Sequence, residues 1–348
     1  MDLVDDADGL LRAGDAATSG AEWPSVDGTS DVAASRKPPP DRRRAVLGAI
    51  VVVIVVAAAA VAIYRQRAAF ANALDNVGVA AMLASSLVAV VGVALTYPTW
   101  HQVLRGLGVE LPWRAGARVF FTSQLGKYLP GSVWPALLQM EAGRAHGASR
   151  RTMLAANLLT IVLSCAVGLI AASVLLPLSD AHSLARYWWL LLALPFLLAL
   201  MHPRAVPAVL DRAFALARRP PLGQRLPVAD SVRASAWALS SFVMQGVHVA
   251  ILVIAIGGGG VSTVVLCTGG MALAVSAGVL FIPAPAGAGI RDLVLAVVLR
   301  STLTSAQALA VVVASRAILI AVDLALAGAA ALSGRFAHDS DGRLSGID

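Results

Sequence analysis

The sequence predicts an all-α, polytopic integral membrane protein with about six to eight spans. Three observations lead to this fold class. First, 58% of the 348 residues are hydrophobic and only 14% are charged, too few charges to surround a water-soluble core with a charged surface. Second, apolar runs long enough for a helix to cross ~30 Å of hydrocarbon recur between residues 45 and 333. Third, two apolar segments carry proline and glycine near their middle, which is typical of re-entrant hairpins.

The chain is predicted to consist of a membrane domain between two tails. Residues 1–40 are acidic and poor in large apolar side chains, which predicts a disordered cytoplasmic tail. Residues 41–335 form the transmembrane domain, and residues 336–348 form a short cytoplasmic tail. The first apolar run, AVLGAIVVVIVVAAAAVAIY, begins too far from Met1 for an ordinary cleaved signal peptide. We therefore interpret it as a retained first span.

Six apolar segments are predicted to cross the membrane completely. They cover residues 45–64, 77–98, 152–178, 187–201, 234–256 and 306–332. The two segments with central breaks cover residues 119–140 and 263–299. Tryptophans lie near several predicted span ends and are interpreted as interfacial anchors: Trp100, Trp113, Trp134, Trp188 and Trp189.

The basic residues between the segments predict their orientation, because loops rich in lysine and arginine stay in the cytoplasm. Residues 36–44 are basic and place the N-terminus inside. Both flanks of segment 119–140 are also basic, so this segment is predicted to enter and leave on the cytoplasmic side, with residues 127–131 at its tip. The most basic loop, 204–233, then lies in the cytoplasm as the rule requires.

The second broken segment, 263–299, is predicted to form a hairpin that enters from the outer side. The two hairpins would then resemble the inverted pairs of broken helices found in transporters. A second possibility stays open, in which residues 263–282 cross the membrane completely.

The breaks indicate a polar cavity, because non-helical backbone at membrane depth needs surrounding protein or water. Glycine and proline supply the unusual backbone at Gly126, Pro130, Gly131, Pro283, Gly287 and Gly289. Three cations against two carboxylates make the predicted cavity favourable for an anion, and a phosphate is the natural guest. These charged residues are Lys127, Arg291, Arg316, Asp292 and Asp323.

Structural roles remain open for several of these residues. Arg316 and Asp323 are seven residues apart on one helical face, so they could form a structural ion pair. Asp292 could orient Arg291 or cap the helix after the second break. Lys127 could extend its ammonium group to the membrane surface.

No metal, cofactor or nucleic-acid site is predicted. Cys165 and Cys267 lie inside apolar segments without metal-type spacing and are interpreted as small buried apolar side chains. Gln245 and His248 are interpreted as interhelical hydrogen-bonding groups rather than proton relays. The net charge of +7 comes from arginine clusters beside the spans, which favours contact with anionic lipid and excludes a nucleic-acid partner.

Two motifs resemble a known family. The stretches GKYLPGSVW and FIPAPAGAGIRDLVL, followed by a span that bears Arg316, resemble the lysylphosphatidylglycerol synthase transmembrane region family over about residues 45–332. The matching positions are Gly126, Tyr128 or its neighbour Lys127, Pro130, Gly131, Pro283, Gly287, Gly289 and Arg291. Asp292 stands where the family usually has glutamate, which keeps the charge and changes the reach.

The resemblance implies a flippase-type membrane domain that binds or moves lipids with charged or sugar-bearing head groups. The family's aminoacyl transfer resides in a separate soluble domain, which this chain is expected to lack, so we expect no enzyme activity. The leading hypothesis is an inner (plasma) membrane flippase or transporter for an anionic, phosphate-linked head group. The lipid would be a phospholipid or a polyprenyl-phosphate sugar for cell-envelope assembly, and the matched and charged residues above would bind it.

Two other functions remain open. The chain could be a non-transporting scaffold or regulator of an envelope glycosyltransferase complex, docking through its acidic tail and the basic loop 204–233. It could also be an enzyme that acts on a lipid-linked phosphate, although the sequence offers no obvious acid–base pair for that reaction.

Overall fold

A computed structural model describes residues 77–128, 134–144, 146–179, 182–201, 226–257, 259–280 and 289–344, with isolated positions between 205 and 215. Side chains are described as far as residue 333. Several sequence predictions lie outside the described residues: the acidic tail 1–40, the first span 45–64, most of the basic loop 204–233 and the extreme C-terminus.

The described residues form ten α-helices and no strand. The helices are α1 Val79–Ala94, α2 Thr96–Gly106, α3 Trp113–Gln124, α4 Trp134–Arg144, α5 Arg150–Leu175, α6 Ser183–Leu200, α7 Val228–Ala255, α8 Val261–Leu280, α9 Ile290–Leu299 and α10 Ser305–Leu344. A 3₁₀ turn, Leu125–Tyr128, continues α3 to the edge of the first break.

Five described stretches of helix are long and apolar enough to cross a membrane, and α6 is a shorter apolar helix. The five are Val79–Gly106, Arg150–Leu175, Val228–Ala255, Val261–Leu280 and Ser305–Ser333. The protein is therefore a polytopic helical membrane protein, as predicted. The first stretch is longer than expected because Pro98 lies in the first turn of α2, where a missing backbone N–H removes no helical hydrogen bond.

The helix α7 packs against α1, α2, α5, α8 and α10 and forms the centre of the bundle. Its contact with α8 is close because Gly246 has no side chain: a Cβ added there would lie 2.3 Å from the Cα atom of Thr268. Small residues allow helix backbones to approach in this way where the solvent is lipid.

Buried polar side chains join the helices. His248 of α7 is fully buried, and its Nδ1 lies 2.6 Å from Ser85 Oγ on α1 while its Nε2 lies 2.9 Å from Ser315 Oγ on α10. The interhelical role predicted for His248 is confirmed. Gln245 acts indirectly, since its Nε2 donates to Ser241 Oγ within α7 and Ser241 Oγ donates to the Gly92 carbonyl on α1.

The first broken segment has two short arms, α3 and α4, which contact each other. With 12 and 11 residues they are about 18 and 17 Å long, so neither crosses the hydrocarbon layer alone. Gly126 lies against the start of α4, where an added Cβ would be 3.0 Å from the Pro135 backbone nitrogen. The arms therefore lie side by side, and entry from the cytoplasmic side stays a prediction.

The second broken segment is asymmetric. Its first arm, α8, has 20 residues, which is about 30 Å of helix, whereas its second arm, α9, has 10 residues. The length and apolar composition of α8 favour the alternative in which residues 263–282 cross the membrane completely. They disfavour a hairpin that turns at mid-depth.

Candidate functional site

A cavity of ≈ 600 Å³ lies where the two broken segments approach α10. Residues from α1, α2, α3, α4, α5, α7, α8, α9 and α10 line it, together with the 3₁₀ turn. Five of the predicted site residues are among them: Lys127, Tyr128, Arg291, Arg316 and Asp323. Residues up to 196 positions apart in the sequence therefore face one space, as the charge argument predicted.

Asp323 of α10 holds the tip of the first broken segment. Its side chain is buried, and its Oδ2 lies 2.7 Å from the Lys127 ammonium nitrogen and accepts a 2.5 Å hydrogen bond from Tyr128 Oη. The Lys127 ammonium group also lies 5.5 Å from the centre of the Tyr128 ring. Lys127 is thus engaged in an ion pair with a buried carboxylate, which favours a role in this cluster over the alternative in which it only reaches the membrane surface.

Arg316 of α10 pairs with the second broken segment. Its Nη1 lies 3.1 and 3.0 Å from the two carboxylate oxygens of Asp292 on α9. The alternative ion pair between Arg316 and Asp323 is therefore wrong. Seven residues of helix separate those two side chains by about 10 Å along the axis, and each has a nearer partner on another element.

Asp292 also caps α9, as one of the structural alternatives predicted. Its Oδ2 accepts a 3.2 Å hydrogen bond from the backbone N–H of Gly289, the residue before the helix. Gly289 has φ of 88°, a left-handed conformation that favours glycine. Asp292 forms its ion pair with Arg316, and the role in orienting Arg291 stays a prediction.

Arg291 has no carboxylate within 4 Å among the described residues, unlike the two other cations of the cavity. Its Nη2 lies 3.8 Å from Met271 Sδ, a weak acceptor. The three cations and two carboxylates of the cluster leave one positive charge, and Arg291 carries it. Separating such a cation from water costs free energy that an anion would offset.

Four of the predicted site residues lie outside the described residues: Pro130, Gly131, Pro283 and Gly287. Their roles stay predictions. Gly289 and Asp292 do not line the cavity themselves, and they contribute by starting α9 and by fixing Arg316.

The cavity also has a wall of neutral polar side chains that the sequence analysis did not select. Asn157, Gln245 and Ser276 belong to it, and each interrupts an apolar helix, which was the available signal. Trp100 belongs to it as well and is fully buried, so its interpretation as an interfacial anchor is wrong. Trp113, Trp188 and Trp189 are more than half exposed, which agrees with their interpretation as anchors.

A metal site or a free thiol could give the bundle further chemical activity. The described residues contain no group of three or more histidine, cysteine or acidic side chains arranged to hold a metal ion. Cys165 and Cys267 are free and buried, and Cys165 lines the cavity.

Comparison with known proteins gives one family. No curated protein matches the chain. Residues 46–327 match the family described as Lysylphosphatidylglycerol synthase TM region, and this range includes α1 to α9 and most of α10. The match covers most of the chain and agrees with the two motifs around the breaks, and the chain therefore belongs to the lysylphosphatidylglycerol synthase transmembrane region family.

Proposed function

We propose that this protein is a lipid flippase or lipid-binding transporter of the inner (plasma) membrane, with its N-terminus in the cytoplasm. Its cargo would be an anionic lipid with a phosphate-linked head group, a phospholipid or a polyprenyl-phosphate sugar used in envelope assembly. One observation carries the proposal: Arg291 lines a mid-bundle cavity and has no carboxylate within 4 Å among the described residues.

A phosphate fits the charges that surround Arg291. Guanidinium groups bind phosphate oxygens through two parallel N–H donors, and such charge-assisted hydrogen bonds are the stronger kind. Arg316 lines the same cavity, and its described contacts with Asp292 use only Nη1. Its other nitrogens therefore have donors left for a ligand.

The first broken segment supplies a contact that a ligand can exchange. Asp323 Oδ2 accepts from both Lys127 and Tyr128. A phosphate oxygen has the same charge sign and the same acceptor chemistry, so it competes with Asp323 for these two donors. Binding would then change the position of the hairpin tip relative to α10, which is the kind of movement that alternating access requires.

The lipid tail has a path out of the cavity. Three apolar residues that line the cavity are also exposed: Ile161, Val279 and Leu280. They belong to α5 and α8, and an opening of the cavity between these two apolar helices would face the hydrocarbon layer. A head group could enter there while its acyl or isoprenoid chain stays in the hydrocarbon layer.

The side chains that line the cavity favour transport over catalysis. The described residues that line the cavity include no histidine, and their one carboxylate, Asp323, already accepts from two donors. Among the described lining residues that carboxylate is the one candidate for a carboxylate general base, and Lys127 and Tyr128 engage it.

The test is translocation of a fluorescent phosphatidylglycerol in liposomes, followed by dithionite quenching. Arg291→Gln should lower the rate about 10-fold or more, because it removes charge-assisted hydrogen bonds worth about 1.5–3 kcal/mol. The matched control is Arg300→Gln, which removes an exposed arginine at the other end of α9 and should leave the rate unchanged. A well-folded Arg291→Gln protein that moves lipid at the normal rate would overturn the proposal.

The scaffold hypothesis depends on residues 1–40 and 204–233, which lie almost entirely outside the described residues. Deleting residues 1–40 separates the two functions. Retained lipid movement in the shortened protein supports transport, whereas lost binding of a glycosyltransferase partner with no lipid movement in either protein supports the scaffold.

A further inference from the structure

The charges around the cavity limit the kind of phosphate that it can bind. We propose that the cavity takes a phosphate group with a single negative charge, a phosphodiester, and discriminates against the two charges of a phosphomonoester or a diphosphate. The inference rests on the proposed function and adds the class of phosphate. The rest of the head group lies outside this count of charges.

Four charged side chains line the cavity, and a fifth pairs with one of them. Lys127, Arg291 and Arg316 are the cations on the wall, and Asp323 is the carboxylate. Asp292 lies behind the wall and holds Arg316 from α9. The described lining residues include no other acidic or basic side chain. Three cations and two carboxylates leave one positive charge for a ligand to neutralise.

The sequence adds no charge at the two breaks. Residues 129–133 and 281–288 contain no acidic or basic side chain, and neither does the predicted first span, residues 45–64. His248 does not line the cavity, and its ring bonds to two serine hydroxyls, so we count it as neutral. The surplus of one positive charge therefore holds for both breaks over their whole length.

An exchange of partners leaves this surplus unchanged. A phosphate oxygen that takes Lys127 or Tyr128 from Asp323 gains a donor, but it removes that donor from the carboxylate. Because the Asp323 side chain is 6% exposed, water would offset little of the cost. Two charges on the phosphate would thus leave one negative charge unpaired at a place of low dielectric constant. A single charge is matched by Arg291 with both ion pairs intact.

The test compares three lipids that differ in charge and hardly in size. Phosphatidic acid at about pH 8.5 has a phosphomonoester with roughly two negative charges. Phosphatidylmethanol has a single charge, because a methyl group caps one oxygen, and the dimethyl ester of phosphatidic acid has none. Each lipid carries the same fluorescent acyl chain, and fluorescence polarisation measures its binding to the full-length protein in detergent.

We expect phosphatidylmethanol to bind about 10-fold or more tightly than either other lipid. The dianion leaves a negative charge unpaired, and the neutral ester leaves Arg291 unpaired, and each of these costs at least that factor in affinity. Equal or tighter binding of phosphatidic acid overturns the inference.

Removing one carboxylate should shift the preference towards the dianion. Asp292→Asn raises the surplus to two positive charges without changing a residue that lines the cavity, because it frees Arg316. The affinity for phosphatidic acid relative to phosphatidylmethanol should rise about 10-fold. Asp323→Asn makes the same change of charge on the wall and should shift the ratio in the same direction. An unchanged ratio in Asp292→Asn overturns the inference.

The matched control is Glu141→Gln. It removes an exposed carboxylate of α4 that does not line the cavity. The variant makes the same change of charge as Asp292→Asn at a distant place, so it should leave the affinity ratio unchanged. A dissociation constant does not depend on the fraction of folded protein, and the ratio is therefore free of differences in yield.

The outcomes separate this inference from the proposed function. If phosphatidic acid and phosphatidylmethanol bind equally and Arg291→Gln weakens both, the anion site stands and the single-charge limit is wrong. If the neutral ester binds as well as phosphatidylmethanol and Arg291→Gln changes neither, the anion site of the proposed function fails. If phosphatidylmethanol binds selectively but no lipid moves in liposomes, transport fails and the charge class of the bound lipid stands.

Discussion

The two broken segments meet the same helix, α10, with opposite charges. The first segment offers a cation, Lys127, to a carboxylate of α10, Asp323. The second offers a carboxylate, Asp292, to a cation of α10, Arg316. The helix α10 therefore holds both breaks through one ion pair each, and the two pairs have reversed polarity.

The difference between the two pairs lies in burial and in what remains unpaired. The carboxylate of the first pair is 6% exposed, whereas that of the second is 28% exposed. The first tip has no surplus charge, but the second keeps Arg291, which has no carboxylate within reach among the described residues. Under the proposed function, the first break would release and re-form its contact with α10, and the second would hold the anion.

The largest effect is expected from Asp323→Asn. This change leaves Lys127 without its carboxylate and weakens the acceptor of Tyr128, so the free energy of unfolding should fall by about 2–4 kcal/mol. The unfolding midpoint in detergent can be followed by thiol labelling, since both cysteines are buried in the folded protein. An unchanged midpoint would show that the tip is not held by this pair.

A control and a rescue sharpen that prediction. Glu141→Gln removes an exposed carboxylate that lies 2.8 Å from Arg150, and such surface pairs contribute about 1 kcal/mol or less. The double variant Lys127→Met with Asp323→Asn should recover part of the lost stability, because it no longer leaves a cation unpaired. If the double variant lost as much stability as Lys127→Met and Asp323→Asn lose together, the two side chains would not interact.

A smaller effect is expected at the second pair. Asp292→Ala removes both the cap of α9 and the partner of Arg316, and it should lower the free energy of unfolding by about 1–3 kcal/mol. Asp292→Asn retains an acceptor for the cap but loses the charge, so its loss should be smaller. Equal losses in the two variants would assign the whole effect to the ion pair.

Asp292→Glu introduces the residue that the resemblance implies at this position. Glutamate at the third position of a helix also accepts from the N-cap backbone. We therefore expect this variant to keep the stability of α9 within about 0.5 kcal/mol, as for surface substitutions without a lost contact.

The sequence predicted four of the five described stretches that are long enough to cross a membrane, and it predicted the charges of the site. Hydropathy over about 20 residues predicts a membrane helix because the cost of burying polar groups in lipid is a sum over the segment. The same argument selected Lys127, Arg291 and Arg316, since a charge in an apolar segment needs a reason to be there. All three line one cavity.

The sequence could not predict which residues pair with those charges. Tyr128 and Asp323 are 195 residues apart, and the pairing follows from how α10 packs against the first break rather than from any local pattern. The helical-face argument chose Asp323 for Arg316 because it considered only one helix. Trp100 was misplaced for a different reason, since Pro98 was taken as a helix end although it occupies the first turn of α2.

Gly289 tests whether the second break depends on backbone conformation. A Cβ at Gly289 would meet nothing within 4 Å, so Gly289→Ala tests only the cost of φ 88°, about 1–2 kcal/mol. Gly328 in α10 also has nothing within 4 Å of an added Cβ, but it lies inside a helix, and Gly328→Ala should raise stability by about 0.5–1 kcal/mol. The two substitutions remove the same kind of residue with the same free space and should have opposite signs. If both stabilise the protein, α9 begins without the left-handed residue, and the position of Arg291 does not depend on it.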